Sequence, residues 1–287
     1  TDTIAGLKGA GSVDLNGNVL TVDQAASTES RFTGIISGSA AGSQLIKAGS
    51  GSLILAGNNT YIGSTMVQDG TLTAAVSGAL AANTDVAVIS PGVFSVLADS
   101  SVESISGNGS IIVDSLATLT AGGTNNTTFS GVISGNGSFE KVGSGTLTLA
   151  GENKYEGETA INGGVLEITN AFALGASGSN SNATFIRRGA ALHLVGSQES
   201  AGFQLPEVLV LGNSGSEGEA AVQLVSGNVT ITNPIQLAGD SAIEALSGEL
   251  LLDNTASSEG SSVIVADPSF CASSELLTCN LRISGNG

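Results

Sequence analysis

The chain has 287 residues, of which 41 are glycine, 41% are hydrophobic and only 3% are aromatic. The hydrophobic residues are mostly small aliphatics in regular alternating runs, so there is a core to bury, and this excludes a disordered chain. The 25 acidic and 8 basic residues give a net charge of −17, which argues against nucleic acid or an anionic membrane surface as a partner, because both require clustered Lys and Arg.

Short runs of alternating hydrophobic residues recur along the chain, at intervals of about 8–12 residues. The runs in the first third are Val19–Val22, Leu53–Leu55, Met66–Val67, Thr71–Ala74, Val86–Ile89 and Phe94–Leu97. Alternation at period two predicts strands, and the Gly and Asn residues between the runs predict tight turns. This spacing is typical of a sandwich, a barrel or a β-helix.

An internal repeat favours the β-helix among these folds. Residues 47–72 and 141–166 match without a gap at an offset of 94, and weaker matches extend the similarity upstream. We therefore divide the chain into a first repeat block at 1–100, a second at 101–190, and divergent turns at 191–287. Because each turn of such a repeat stacks on the one before, we predict a parallel β-helix, with roughly 20–25 residues a turn and about 12–14 turns.

The alternation within the two motif copies assigns residues to the core and to the turns. The residues predicted to point into the helix and to stack on like residues are Leu53, Leu55, Leu72, Leu147, Leu149, Ile161 and Leu166. The predicted turn residues are Gly57, Tyr61, Gly63, Gly151, Tyr155 and Gly157. Several asparagines also fall at predicted corners, where stacked amide side chains would satisfy the backbone groups of a sharp turn; they are Asn58, Asn59, Asn125, Asn126 and Asn153.

The C-terminal part is less regular. Residues 266–280 contain Pro268 and both cysteines, Cys271 and Cys279, and are predicted to form a loop that leaves the stack. A short-range disulfide between the two cysteines fits an oxidising compartment, and two free buried thiols are the alternative. Residues 283–287 repeat the motif of 105–109, so we expect further turns to follow in the native protein, or this end to dock on another copy of the chain.

No residue set with catalytic or cofactor-binding chemistry stands out. The Gly-x-Gly pairs lack the third glycine of a dinucleotide-binding loop, and His193 has no nucleophile pattern near it. The acidic residues are scattered rather than paired across a groove, and calcium-binding repeats are missing. We therefore predict no enzyme, no metal site and no cofactor.

Residues 143–166 resemble the passenger-associated repeat of bacterial autotransporters, the type V secretion family. The resemblance rests on a glycine-rich turn, Thr146–Leu149, then the Gly-x-Asn-x-Tyr-x-Gly pattern ending at Gly157, and a final Gly-x-Leu at Leu166. Residues 51–72 match nearly as well. The resemblance implies a right-handed parallel β-helix that is exported through the outer membrane and displayed or released at the surface. It also implies a C-terminal translocator barrel, absent from this sequence, as the only part that enters the membrane.

From this resemblance we expect a non-enzymatic surface stalk that acts in adhesion, with a host-cell or matrix protein or a glycan as partner. A self-associating extracellular filament or surface-layer component is the alternative from a different functional class. A polysaccharide-acting β-helix enzyme is the third.

Overall fold

The structure, a computed structural model, describes residues 1–40, 42–177, 180–197, 199, 202–212 and 220–253, and the strand segments 264–266, 272–273, 276–277 and 281–285. It divides the chain into two compact units, Thr1–Phe139 and Glu140–Gly287. The repeat blocks proposed from the sequence are a different division, and they stay a prediction.

The first unit consists of short strands, most of them three to five residues long. In chain order they are β1 (Asp2–Ile4), β2 (Ser12–Asp14), β3 (Val19–Asp23), β4 (Glu29–Phe32), β5 (Ile35–Ser37), β6 (Gln44–Ala48), β7 (Ser52–Leu55), β8 (Thr65–Val67), β9 (Thr71–Ala74), β10 (Asp85–Val88), β11 (Val93–Val96), β12 (Ser100–Val102), β13 (Ser104–Gly107), β14 (Ser110–Val113), β15 (Thr118–Ala121), β16 (Thr127–Phe129) and β17 (Val132–Gly135). Strand β18 (Ser138–Lys141) contains the point at which the units divide.

The strands of the first unit pair in parallel with strands one turn away. One sheet contains β1, β3, β6, β8, β10, β13 and β16 in that order, and another contains β4, β7, β9, β11, β14 and β17. Strand β12 pairs with β15, and β2 pairs with β5. Register partners lie 18 residues apart at Asp2 and Leu20 and 25 apart at Val19 and Gln44, so each turn of the coil uses a short length of chain.

The second unit repeats this arrangement. Its strands are β19 (Thr146–Leu149), β20 (Lys154–Tyr155), β21 (Thr159–Ile161), β22 (Gly164–Ile168), β23 (Thr184–Arg187), β24 (Ala190–Val195), β25 (Phe203–Leu205), β26 (Leu209–Gly212), β27 (Val222–Ser226), β28 (Asn228–Ile231), β29 (Ile235–Leu237), β30 (Ser241–Ala245), β31 (Glu249–Leu252), β32 (Ile264–Ala266), β33 (Ala272–Ser273), β34 (Leu276–Leu277) and β35 (Leu281–Gly285). A 3-10 turn covers Asn180–Asn182, and 171–176 form turns and bends.

Three parallel sheets organise the second unit. The first contains β19, β22, β24, β27, β30 and β35, the second β21, β23, β26, β29 and β32, and the third β25, β28 and β31. The short strands β33 and β34 pair with each other in antiparallel fashion. The prediction of an all-β, parallel β-helical fold is confirmed.

The two units contain about 11 turns in all, against the prediction of about 12–14. The difference comes from extra chain inserted between paired strands. Leu192 pairs with Val222, 30 residues later, and Ser241 pairs with Leu281, 40 residues later. Such turns contain more residues than the 20–25 assumed from the repeat, so the same length of chain makes fewer turns.

The core lies inside each coil, on the inward face of the alternating strands. In β7, Leu53 and Leu55 are fully buried while Ser52 and Ile54 are half-buried. Successive strands place inward residues at equivalent heights, so that Leu72 is the register partner of both Leu53 and Phe94. Each buried aliphatic side chain therefore packs on one from the neighbouring turn, which stabilises it by roughly 1.5–3 kcal/mol relative to an exposed position.

Candidate functional site

The structure places the predicted core residues in the interior of the coils. Leu53, Leu55, Leu72, Leu149, Ile161 and Leu166 have no exposed surface and Leu147 is 2% exposed. Leu53 pairs with Leu72, and Leu147 pairs with Leu166, in adjacent parallel strands. Like residues thus stand above one another in the two motif copies.

Close backbone approach, rather than an unusual φ, explains the turn glycines of the first motif. A Cβ at Gly63 would overlap the carbonyl oxygen of Ser43, and a Cβ at Gly57 would overlap that of Gly34, each on the preceding turn. Gly151 and Gly157 hold the equivalent positions of the second motif and are half-buried. Only glycine lets the corner of one turn lie so close to the backbone of another.

The two motif tyrosines, predicted as turn residues, lie in the core. Tyr61 and Tyr155 are fully buried, and Tyr155 belongs to strand β20 rather than to a turn. The hydroxyl of Tyr61 lies 2.5 Å from Oγ1 of Thr65, and that of Tyr155 lies 2.6 Å from Oγ1 of Thr159. A buried phenol requires such a partner, and desolvation by burial raises the pKa of Tyr61 to about 12 and raises that of Tyr155 further.

The side chains of the motif asparagines bond the backbone of neighbouring turns, and that of Asn59 bridges three turns. Oδ1 of Asn59 accepts a hydrogen bond of 2.7 Å from the Ile36 amide, while its Nδ2 donates one of 2.6 Å to the Ala79 carbonyl. Nδ2 of Asn153 likewise donates to the Ala173 carbonyl at 2.6 Å. Asn59 and Asn153 are almost completely buried, so they satisfy corner backbone groups by their side chains, on turns ahead and behind.

Two buried lysines, which were not singled out in the sequence, occupy matched positions. Lys47 has no exposed surface and Lys141 is 1% exposed. Nζ of Lys47 donates hydrogen bonds to the carbonyls of Ala48, Gly49 and Asp69 at 2.8, 2.6 and 3.1 Å. Desolvation lowers the pKa of Lys47, against the opposing attraction of Asp69 and Asp23.

Lys141 makes the same three contacts in the second unit. Its Nζ donates to the carbonyls of Val142, Gly143 and Gly163 at 2.6, 3.2 and 3.0 Å. Desolvation lowers its pKa to about 8. The alternation of the strand places both lysines inward, and this signal could have identified them from the sequence.

Glu207 is the buried carboxyl group of the second unit. It is 1% exposed and accepts a hydrogen bond of 2.9 Å from Oγ1 of Thr184. Thr184 in turn is the register partner of Thr159, which contacts the Tyr155 hydroxyl. Desolvation raises the pKa of Glu207 to about 8, and the Thr184 hydrogen bond opposes this shift.

A polar row runs along the outer face of the first sheet of the second unit. Glu167, His193, Gln223 and Glu244 are successive register partners. Glu167 accepts from Thr148 at 3.0 Å, and Gln223 donates to Glu244 at 3.1 Å. These bonds hold the row as a surface ladder, and among the described residues no group of three His, Cys, Asp or Glu side chains could hold a metal ion.

The outer corner of the second motif carries a shallow cavity of about 240 Å³. Its lining includes Phe172, Glu152, Lys154 and Glu156. Phe172 is 49% exposed, and the three charged side chains are exposed. A half-exposed aromatic ring beside carboxylates in a concave surface presents both apolar and charged groups to a ligand.

The first motif has the equivalent corner, but without the aromatic ring and the three charged side chains. The backbone N–H of Asn59 donates to the Gly78 carbonyl at 2.9 Å. The backbone N–H of Asn153 donates to the Phe172 carbonyl at the same distance. Gly78 therefore holds, in the first motif, the position that Phe172 holds in the second. Asn58, Thr60 and Ile62 replace the three charged residues.

The predicted disulfide and most of the predicted C-terminal loop lie outside the residues that the structure describes. Cys271 and Cys279 lie outside the part of the chain that the structure describes, so their disulfide stays a prediction, as does most of the 266–280 loop. In the described part, no helix is both long enough and hydrophobic enough to cross a membrane.

Comparison with known proteins identifies the motif. The passenger-associated-transport-repeat family matches residues 45–74 and 139–168. The chain is also 33% identical over 255 residues to the adhesin BmaC autotransporter of Brucella suis biovar 1 (strain 1330). That match covers 77% of this chain and 7% of the relative, so the chain corresponds to a small part of the relative's length.

Proposed function

Because this chain is an autotransporter passenger segment that carries passenger-associated repeats and is exported to the cell surface, we propose that it acts in adhesion as a non-enzymatic stalk. The observation that carries the proposal is the 33% identity to an autotransporter named as an adhesin. The corners and outer faces of each unit's stacked coil carry the side chains available to a partner.

The proposed partner is a protein or glycan of a host cell or of the matrix around it. The outer surface supports this assignment better than it supports catalysis. The polar row of the second unit is a hydrogen-bonded ladder on an outer face, and the charged residues at the outer corner of the second motif line an open cavity. Both features are accessible to a partner.

Adhesion is tested with the purified 287-residue chain immobilised on beads, by measuring binding to cultured host cells, to matrix proteins and to a glycan array. We expect saturable binding to at least one of these surfaces by the folded chain and not by the heat-denatured chain. The absence of saturable binding by a chain with an intact β-sheet circular dichroism spectrum would overturn the proposal.

The filament alternative predicts a different result. Analytical ultracentrifugation over a micromolar concentration series would then show growing oligomers, without binding to foreign surfaces. Turnover of glycans or peptides that disappears when one acidic residue is replaced would instead favour the enzyme.

A further inference from the structure

The outer corner of the second motif contains side chains that its own architecture does not require. The two corners share the asparagine hydrogen bonds described above, yet the first is built with Gly78, Asn58 and Ile62 where the second has Phe172, Glu152 and Glu156. An exposed phenylalanine contributes little to folding, because its ring stays half in water. The aromatic and charged set thus belongs to the outer surface of one copy only.

We propose that this corner is a docking site for a cationic side chain, arginine or lysine, of a basic segment in a partner protein. The face of Phe172 would take the cation by a cation–π contact. Glu152 and Glu156 would accept charge-assisted hydrogen bonds from it. Among the residues that the structure describes, neither carboxylate takes part in a hydrogen bond or an ion pair, so both are available.

The size of the cavity selects one side chain rather than a whole ligand. Its volume of about 240 Å³ lies below the range of about 300–1,000 Å³ typical of small-molecule sites. The open, shallow form suits the end of a long side chain that approaches from a separate polypeptide.

Charge decides between a cationic occupant and a neutral sugar ring, which could also stack on an aromatic face. The lining has two carboxylates against the single ammonium of Lys154. The chain has a net charge of −17, and two of its 8 basic residues, Lys47 and Lys141, are buried. The surface around the corner therefore attracts a basic segment over distances of about 10 Å at moderate salt.

The inference rests on the proposed adhesive role, since it names the chemistry of one partner contact. It is tested by fluorescence anisotropy with three labelled probes and the intact chain. The probes are a peptide of alternating glycine and arginine, the matching peptide of glycine and glutamate, and a neutral chitooligosaccharide. We expect the chain to bind the arginine peptide at about 150 mM salt and neither of the other probes.

Replacing Phe172 by alanine removes the ring and keeps every charge. We expect the Kd for the arginine peptide to rise about two- to fivefold in Phe172→Ala and to recover in Phe172→Tyr. Glu152→Gln combined with Glu156→Gln should raise it about tenfold. Ile62→Ala, at the matched corner of the first motif, and Glu29→Gln, an exposed carboxylate of strand β4, should leave the Kd unchanged.

Several outcomes would overturn the inference. One is no binding of the arginine peptide; another is an equal loss in Glu29→Gln and Phe172→Ala, which would mean nonspecific attraction. A third is Phe172-dependent binding of the oligosaccharide alone, which would make the occupant a glycan. These results leave the adhesive role standing, because that role fails only if the chain binds none of the cell, matrix and glycan surfaces.

Discussion

Each buried lysine closes a corner at which three backbone carbonyls converge. Lys141 reaches the carbonyls of Val142 and Gly143 on its own turn and that of Gly163 on the next. An ammonium has three N–H donors, so one side chain satisfies all three acceptors. The three hydrogen bonds offset the cost of removing the ammonium from water, which is why a charge is tolerated at this place.

Lys141→Met keeps an unbranched side chain, one atom shorter, and removes the three N–H donors. We expect the free energy of unfolding to fall by about 1–3 kcal/mol, because three partly buried carbonyls lose their hydrogen-bond donor. Urea denaturation followed by circular dichroism measures the change. Lys154→Met, at an exposed lysine, serves as the control and should change stability by less than about 0.5 kcal/mol. Equal effects of the two substitutions would contradict the structural role.

The raised pKa of Glu207 predicts that the free energy of unfolding falls as the pH rises. Burial raises its pKa from an ordinary value of 4.5 to about 8, so between these values the folded chain holds a proton that the unfolded chain has released. Its stabilising contribution is present below about pH 4.5 and is lost as the pH rises through 8. The slope from this one group is at most about 1.4 kcal/mol per pH unit.

Glu207→Gln replaces the protonated carboxyl by a neutral amide of the same shape. Between about pH 5 and 8.5 we expect the stability of the variant to fall less than that of the parent chain. At about pH 8.5 the variant should therefore be the more stable of the two. Thermal unfolding at a series of pH values is the measurement. Glu249→Gln, at an exposed position in strand β31, should keep the parent profile. Parallel profiles for the parent and Glu207→Gln would show that this carboxyl does not titrate in that window.

Each strand contributes one layer of side chains to the core and is stabilised by the strands of the adjacent turns. Leu149 in β19 is fully buried, and its register partner in β22 is Ile168. The two strands come from successive turns, and parallel pairing aligns their inward side chains. A cavity in one layer therefore removes contacts on adjacent layers as well.

Leu149→Ala should lower the free energy of unfolding by about 2–5 kcal/mol, the usual loss for a truncated buried leucine. Denaturant unfolding of the purified variant gives the value. Leu116→Ala is the matched control, since Leu116 is 94% exposed, and it should have little effect. A loss below about 0.5 kcal/mol for Leu149→Ala would mean that this strand does not bury the side chain that its register indicates.

On the scale of the whole molecule, the charge distribution restricts the kinds of partner. The acidic excess of the sequence, 25 residues against 8, is greater still at the surface because Lys47 and Lys141 are buried. Neutralising phosphates needs several accessible Lys or Arg side chains together. We therefore expect repulsion from polyanions and attraction to cationic surfaces.

A gel-shift experiment with duplex DNA and with single-stranded RNA tests this expectation. At about 150 mM salt, near physiological ionic strength, we expect no shifted band at micromolar protein, while a basic DNA-binding protein of similar size shifts both probes. A saturable shift by this chain that weakens with added salt would contradict the expectation, because it would require an accessible cluster of basic side chains.

The class of fold, the parallel stacking and the inward leucines of the motif follow from the sequence alone, whereas the burial of Tyr61, Tyr155, Lys47 and Lys141 was not predicted. Alternation at period two is a local property, so it assigns Leu53 or Leu147 to the inward face without knowledge of any partner. Two copies of one motif with the same pattern then indicate that turns stack on turns.

The contacts opposite each residue depend on how the turns stack. Lys141 bonds to Gly163 and Asn59 bonds to Ala79, about one turn further along the chain, and Glu207 is buried against Thr184 on the preceding turn. The number of residues between register partners varies from turn to turn, so the sequence spacing does not fix these partners. Burial, pKa shifts and the cavity at Phe172 depend on contacts between turns, and the chain specifies those contacts only once it has coiled.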